Sequence, residues 1–319
     1  MALSLPKKIV VAEVGPRDGL QSFPRWIDTA TKVEIVDRLS DLGLPVIEVS
    51  HFANPKVIPH LRDAEEVFER IKRLPGTVYR GLVPNARGAE RATSAHVDEM
   101  LGLITISATY TRKNQNMTID EAIAENLESF RIAEKHSTAF VMALGMSFWC
   151  AYEGQIPEED VIAVVSKFHD GGIRRFYLAG SLGMEDPAHV NRLFRRLGEQ
   201  FPKAAFGFHI HNLSGMATAN IVAALDAGAA WLEGAICGIG GGIAMPTTLG
   251  SLGNFPTEDL VTMLSEMGIA TGIDPERTVA AAKDIATMLG ISPQSHRGSG
   301  ATRTNVTELA VTNPNMRYS

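Results

Sequence analysis

The sequence lacks the features that mark several specialised classes of protein. It holds two cysteines, Cys150 and Cys237, in 319 residues, too few for a disulfide framework and consistent with a reducing compartment. No apolar run reaches the roughly 18 residues of a transmembrane helix, and the first ten residues lack a signal-peptide core. Neither charge sign dominates, since 30 basic and 36 acidic residues give a net charge of −6 and the basic ones are scattered. We therefore expect a cytoplasmic protein with neither a nucleic-acid nor a membrane partner.

Short apolar runs alternate along the chain with amphipathic segments of helical length. Helix starts are predicted at Thr118, which is followed by Asp120 and Glu121, and at Thr257 in a later segment. Eight runs are typical of strands that are apolar nearly throughout, which indicates a parallel sheet covered by helices. These runs are 8–14, 45–52, 78–84, 99–108, 138–146, 174–180, 204–211 and 230–238.

Eight β–α units in about 260 residues predict an α/β fold, a (β/α)8 TIM barrel, rather than a doubly wound sheet. The first strand–helix turn reads GPRDG and has no G-x-G-x-x-G, which disfavours a dinucleotide site. Glycines cluster at 238–242. This cluster is compatible with a loop over the barrel mouth and also with a phosphate-binding loop. We expect one catalytic domain over 1–290, with a C-terminal helical extension, and a polar tail over 291–319.

Charged and histidine side chains at strand ends are the candidates for chemistry, because TIM-barrel sites lie at that face. The first strand ends in Arg17 and Asp18, and the seventh ends in His209 and His211. Residues two apart on a strand point to one side, so the two histidines can converge on one ion. Neutral imidazoles together with the Asp18 carboxylate suit a divalent metal and leave positions for substrate and water. The alternative is a pair of barrel histidines satisfied by hydrogen bonds.

Arg17 and Glu48 form a second candidate pair. The planar guanidinium of Arg17 can bind a carboxylate or an enolate oxygen. The alternative is an ion pair with Glu48, which lies inside the second apolar run and needs a partner if it is buried. Both interpretations hold if Glu48 orients Arg17.

Five motifs together resemble 3-hydroxy-3-methylglutaryl-CoA lyase and the wider superfamily of TIM-barrel metallolyases and Claisen-type synthases. They are EVGPRDGLQ, VIEVSHFANPKVIP, LVPNARG, GFHIHNLSGMATAN and GNFPTEDLV, which occur in the right order across nearly the whole chain. The resemblance implies a CoA thioester substrate and a homodimer. It also implies Arg17 on the oxygen of an enolate, Glu48 as a supporting catalytic acid, and magnesium or manganese on Asp18, His209, His211 and Asn254.

The chain also departs from the motifs of this family. The family's glycine-rich loop, G-x-G-G-C, ends in a catalytic cysteine, and here GIGGG places Gly242 at that position, while Cys237 is expected to be structural. Where the family has G-D-T, this chain has AGSLG, with Ser181 in place of the aspartate. A second stretch of this chain, MSFWCAYEG, adds Phe148 and Trp149 near the expected pocket. We therefore expect retained metal and arginine chemistry, altered acid–base and substrate-fitting parts, and poor activity on hydroxymethylglutaryl-CoA itself.

The sequence predicts a metal-dependent carbon–carbon lyase that cleaves a 3-hydroxyacyl-CoA to acetyl-CoA and a keto product. The proton donor to the enolate stays open between metal-bound water and a histidine. Alternatives are the same chemistry on another acyl group or in the condensing direction, and a non-catalytic barrel that keeps its metal for stability. Arg17 disfavours the last alternative, because a structural metal site would not need it.

Overall fold

The computed structural model describes residues 3–240, 253–300 and 302–312. Eight parallel strands within these ranges close into a barrel, and each one lies inside one of the eight predicted apolar runs. The barrel strands are β1 (Val10–Glu13), β2 (Val46–His51), β3 (Val78–Leu82), β4 (Glu99–Thr105), β5 (Ala139–Gly145), β8 (Arg175–Gly180), β9 (Ala205–Ile210) and β10 (Trp231–Gly234). The prediction of a TIM barrel is confirmed.

The order of strands around the barrel is β1-β10-β9-β8-β5-β4-β3-β2. The end of β1 is therefore separated from the end of β9 by a single strand, and β2 borders β1 on the other side. Two further strands, β6 (Trp149–Cys150) and β7 (Gly154–Gln155), form a short antiparallel hairpin outside the barrel that the sequence pattern did not indicate.

Helices surround the barrel, as expected for strands that are buried on both faces. The helix predicted to start at Thr118 does so, with Thr118 and Glu121 forming a capping box. The helix predicted at Thr257 also begins there, but Pro256 holds the cap position, so Thr257 does not cap the helix as Thr118 does. None of the helices in the described ranges combines the length and apolar character needed to cross a membrane. The helices are α1 (Thr29–Ser40), α2 (Ala64–Arg70), α3 (Ala86–Ser94), α4 (Ala108–Gln115), α5 (Ile119–Lys135), α6 (Glu158–Asp170), α7 (Pro187–Gln200), α8 (Ala217–Asp226), α9 (Thr257–Glu266), α10 (Pro275–Leu289), α11 (His296–Ser299) and α12 (Arg303–Thr312).

The interior of the barrel is partly ionic. Arg80 is fully buried, and it donates from Nε to Glu99 Oε2 at 2.8 Å and from Nη1 to Glu233 Oε1 at 2.7 Å. Arg175 pairs with the other carboxylate oxygen of Glu99. Removing one member would leave a buried charge without its partner, which is strongly destabilising, so this network also holds Glu233 in place.

Two buried carboxylates hold the turn that follows β10. Glu13 of β1 accepts the backbone N–H of Ile236 at 2.9 Å, and Glu258 of α9 accepts that of Cys237 at 3.1 Å. The Cys237 thiol is itself buried and donates to the carbonyl of Ala282 at 3.1 Å. Burial raises the pKa of both carboxyls to about 7.

We expect Glu258→Gln to make the stability of the protein less dependent on pH. The folded-state pKa of Glu258 lies above its ordinary value of 4.5, so the stabilisation is complete below 4.5 and is lost as the pH rises through about 7. The difference between the folded-state pKa of Glu258 and its ordinary pKa corresponds to about 3 kcal/mol of unfolding free energy.

Urea unfolding at about pH 5 and about pH 9 measures this difference directly. The exposed Glu34, replaced by glutamine, serves as the matched control and should follow the unmodified protein. If stability falls by the same amount between these two pH values in Glu258→Gln and in the unmodified protein, the raised pKa of Glu258 is contradicted.

Candidate active site

The GPRDG stretch forms a five-residue π-helical turn, Gly15–Gly19, directly after β1, and all five residues are buried. Gly19 is required by close packing, because a Cβ there would lie 2.4 Å from Cγ1 of Ile239. The turn places two successive charged side chains, Arg17 and Asp18, at the same cavity at the barrel mouth. Short π-type turns of this kind are frequent at functional sites.

The four predicted metal ligands lie together at this mouth. The Nε2 atoms of His209 and His211 are 3.1 Å apart, and Oδ2 of Asp18 is 3.8 Å from Nε2 of His211. Potential ligand atoms of these three buried residues all lie within 4.8 Å of one another. Asn254 pairs with His211 through a β-bridge and donates from Nδ2 to Oδ2 of Asp18 at 2.7 Å.

The chemistry of this donor set fits a divalent metal. The Oδ1 atom of Asn254 is buried and has no hydrogen-bond partner among the described residues. Although burial opposes it, Arg17 and the two histidines hold the pKa of Asp18 well below its ordinary value, so the carboxylate is ionised. One carboxylate, two imidazoles and an amide oxygen are ligands that magnesium, manganese and related divalent ions accept.

Glu233 of β10 fixes the orientation of His209. Its Oε2 atom lies 3.1 Å from Nδ1 of His209, while Oε1 accepts from Arg80 at 2.7 Å and from the indole of Trp231 at 3.0 Å. A carboxylate on one imidazole nitrogen orients the other toward a metal. Sequence reasoning missed Glu233, although a lone acid inside an apolar run is the same signal that singled out Glu48.

Arg17 forms the predicted ion pair with Glu48. Its Nε donates to Oε1 of Glu48 in a close contact, and its Nη1 donates to Oδ1 of Asp18 at 2.8 Å. The second oxygen of Glu48 lies 4.0 Å from Nη1 of Arg80. Glu48 is fully buried behind the guanidinium, so its contact with the mouth of the barrel runs through Arg17.

A cavity of about 70 Å³ joins these groups at the carboxyl ends of the strands. Ser181 also lines it, and its hydroxyl oxygen accepts the N–H of Met146 at 2.9 Å. The described residues that line the cavity are Arg17, Asp18, Gln21, His51, Leu103, Gly145, Met146, Tyr177, Ala179, Ser181, His209 and His211.

Phe148 and Trp149 are not among the described residues that line this cavity. For Phe148 this corrects the expectation that it shapes the substrate pocket. Phe148 is fully buried, and its ring packs edge-on against His189 and Phe208 with centroids 5.5 and 5.9 Å away. Trp149 belongs to the outer hairpin, where it pairs with Gln155. The apolar layer between barrel and helices buries the Phe148 ring completely. Gly242 lies outside the described residues.

This TIM barrel carries a carboxylate, two imidazoles and a paired arginine at the carboxyl ends of its strands. These features place it in the class of metal-binding barrel enzymes. A family model described as HMGL-like matches residues 8–285. The chain belongs to this family, and with the relatives below that identifies it as a carbon–carbon lyase of the hydroxymethylglutaryl-CoA lyase type. The resemblance seen in the sequence motifs is confirmed.

Three relatives illustrate how much of the chain is shared. Hydroxymethylglutaryl-CoA lyase YngG of Bacillus subtilis (strain 168) is 38% identical over 89% of this chain and 94% of its own length. The mitochondrial hydroxymethylglutaryl-CoA lyase of Homo sapiens is 33% identical over 90% of this chain and 87% of its own. The structure of an HMG-CoA lyase from Acinetobacter baumannii, in complex with coenzyme A and 3-methylmalate, is similar with a TM-score of 0.88 and 35% identity, covering 94% of this chain and 97% of that one.

Proposed function

We propose that this lyase cleaves a 3-hydroxyacyl-CoA thioester to acetyl-CoA and a keto product, with magnesium or manganese bound at the mouth of the barrel. The observation that carries the proposal is the convergence of Asp18, His209, His211 and Asn254 with Arg17 at one cavity. A relative that binds coenzyme A together with a small hydroxy acid supports this substrate class.

Each residue has a distinct part in the proposed reaction. Bound to the four ligands, a divalent metal supplies Lewis-acid stabilisation of the negative charge that develops on the substrate oxygens. Arg17 binds the thioester carbonyl oxygen that becomes the enolate oxygen. Although burial opposes it, Glu48 and Asp18 keep the pKa of Arg17 above its ordinary value, so the guanidinium stays charged.

Glu48 acts in this proposal as a positioning residue, not as the catalytic acid that the family resemblance implies. This role is supported by its ion pair with Arg17 and by its full burial outside the lining of the cavity. In this proposal the reacting end of the thioester lies at the cavity that Arg17 and the metal-site residues line, and the CoA moiety lies outside it.

We further propose that hydroxymethylglutaryl-CoA is a poor substrate and that a related 3-hydroxyacyl-CoA is the natural one. The basis is Gly242, because glycine has no side chain to take over the proton transfer of the family's cysteine. Ser181 adds a hydroxyl group to the cavity wall, whereas the buried Phe148 does not support this specificity.

A screen of 3-hydroxyacyl-CoA thioesters for release of acetyl-CoA tests this proposal. We expect one thioester to exceed hydroxymethylglutaryl-CoA clearly in kcat/KM, and Gly242→Cys to narrow the difference. Cleavage of hydroxymethylglutaryl-CoA by the unmodified protein at about 10⁴ M⁻¹s⁻¹ or better would contradict the specificity. Release of acetyl-CoA from none of the thioesters would favour the non-catalytic barrel.

The remaining proposals rest on the family resemblance and the composition. We propose a homodimer, a cytoplasmic location, a catalytic domain over 1–290 and a tail over 291–319. Sedimentation of the purified protein measures the oligomeric state. The same site would also serve the condensing direction if the products were supplied in excess.

A further inference from the structure

His51, at the end of β2, lines the same cavity as Arg17 and the two metal-site histidines. Its side chain is buried, with only 7% of the residue exposed. Neither the metal site nor the ion pair of Arg17 uses it. The strand-end rule that singled out Arg17 and His209 would have found it, since it closes the run PVIEVSHF.

A register irregularity in β2 turns His51 toward the interior of the barrel. Glu48 lies opposite Arg80 in β3, and the register then shifts, so that His51 lies opposite Leu82. Leu82 belongs to the apolar cluster inside the barrel. Strict alternation from the inward Glu48 would have pointed His51 outward. Irregularities of this kind next to active sites re-aim a side chain.

The local hydrogen bonding sets the tautomer of His51. Its Nδ1 atom accepts the backbone N–H of Ala53 at 2.9 Å, so the proton of the neutral ring resides on Nε2. Burial, together with the positive charges of Arg17 and Arg91, lowers the pKa of His51 to about 3. The ring is therefore neutral near pH 7, and its Nε2–H forms no hydrogen bond with the described residues.

We propose that His51 is a substrate-binding residue whose Nε2–H donates to the thioester carbonyl oxygen that Arg17 also binds. The inference rests on the proposed lyase function. Two donors on neighbouring strand ends stabilise charge that develops on one oxygen, as an oxyanion hole does. A neutral imidazole is too weak an acid to give up this proton readily, so His51 binds the enolate oxygen and is not the proton donor that the sequence left open.

The test compares His51→Leu, which removes the donor and keeps bulk, with His51→Gln, whose amide nitrogen restores a donor of similar reach. We expect His51→Leu to lower kcat by about a hundredfold with a much smaller change in KM, and His51→Gln to recover most of the loss. Ser50→Ala on the same strand is the matched control and should behave as the unmodified protein, because Ser50 lies opposite Gly81 on the outward side.

Deuterium exchange into the α-protons of acetyl-CoA, with magnesium present, separates this inference from the proposed function. Suppose that the unmodified protein exchanges these protons and that the exchange rate falls in His51→Leu in parallel with kcat. Both the lyase function and the role of His51 are then supported. Exchange that is equally fast in His51→Leu overturns the role of His51 and leaves the lyase function intact. An unmodified protein that neither exchanges nor cleaves any thioester overturns both.

Two further measurements cover a leucine variant that does not fold. Nitrogen NMR of histidine-labelled protein should show the His51 Nε2–H tautomer, assigned by its loss in His51→Gln, and its signal should shift when acetyl-CoA is added. The pH profile of kcat/KM should keep its shape in His51→Gln, because a neutral donor does not titrate. A limb of the profile that disappears with His51, or a signal unmoved by acetyl-CoA, overturns the inference.

Discussion

Asp18→Asn should lose nearly all lyase activity and bind manganese about a hundredfold more weakly, or worse, than the unmodified protein. The other three donors are two imidazoles and an amide, so Asp18 brings the only negative charge to the ligand set. An asparagine keeps the size of the side chain and removes that charge. Removal of a group that only hydrogen-bonds to a metal ligand lowers metal affinity by about ten- to a hundredfold. Removal of the charge of a ligand itself should lower it by at least as much.

Calorimetric titration with manganese measures the affinity without reference to turnover. Glu233→Gln should show a smaller loss, within about ten- to a hundredfold, because it disturbs the orientation of His209 and leaves the ligands in place. The exposed Asp284, replaced by asparagine, provides the control. Chelation should abolish activity, and magnesium or manganese should restore it. Full activity in metal-free protein would refute the metal hypothesis.

The charges inside the barrel support a cation at this position. Four buried carboxylates, those of Asp18, Glu48, Glu99 and Glu233, face the guanidiniums of Arg17, Arg80 and Arg175, of which only Arg175 reaches solvent. In this network of described residues, carboxyl groups outnumber guanidiniums by one. A divalent ion beside Asp18 offsets this excess in a region that water cannot screen.

The barrel could be predicted because each of its strands leaves a pattern within a short stretch of the sequence. Each strand is buried on both faces, so each leaves an apolar run of its own length, and eight such runs recur with helices between them. The meeting of Asp18 with His209 followed from topology, since only β10 separates β1 from β9. The role of Asn254 came from the family resemblance, because a residue in LGNFP reads as part of a turn.

The remaining features depend on contacts that sequence spacing does not record. His51 faces inward because of a shift in register, and Glu233 is held by Arg80, which is 153 residues away in the chain. Phe148 was misplaced because an aromatic residue next to a site motif suits a pocket and a core equally well. Its packing on His189 and Phe208 depends on where α7 and β9 lie.

Arg17→Lys should lower kcat by about a hundredfold or more while KM changes far less. The charge that Arg17 stabilises develops mainly in the transition state, so its loss affects turnover more than substrate binding. Lysine keeps the charge but has a single nitrogen, which cannot contact Glu48, Asp18 and a substrate oxygen with the geometry of a planar guanidinium.

Steady-state kinetics of the metal-loaded variant, with the thioester that the screen identifies, measure both parameters. Manganese affinity should stay near that of the unmodified protein, since Arg17 is not a ligand, and the exposed Arg38→Lys serves as the control for the substitution itself. A thermal melt separates loss of turnover from the cost of leaving Glu48 buried with a poorer partner. A normal kcat would mean that Arg17 serves only as the ion-pair partner of Glu48, and the enolate would then have to be stabilised by other groups at the cavity, His51 foremost among them.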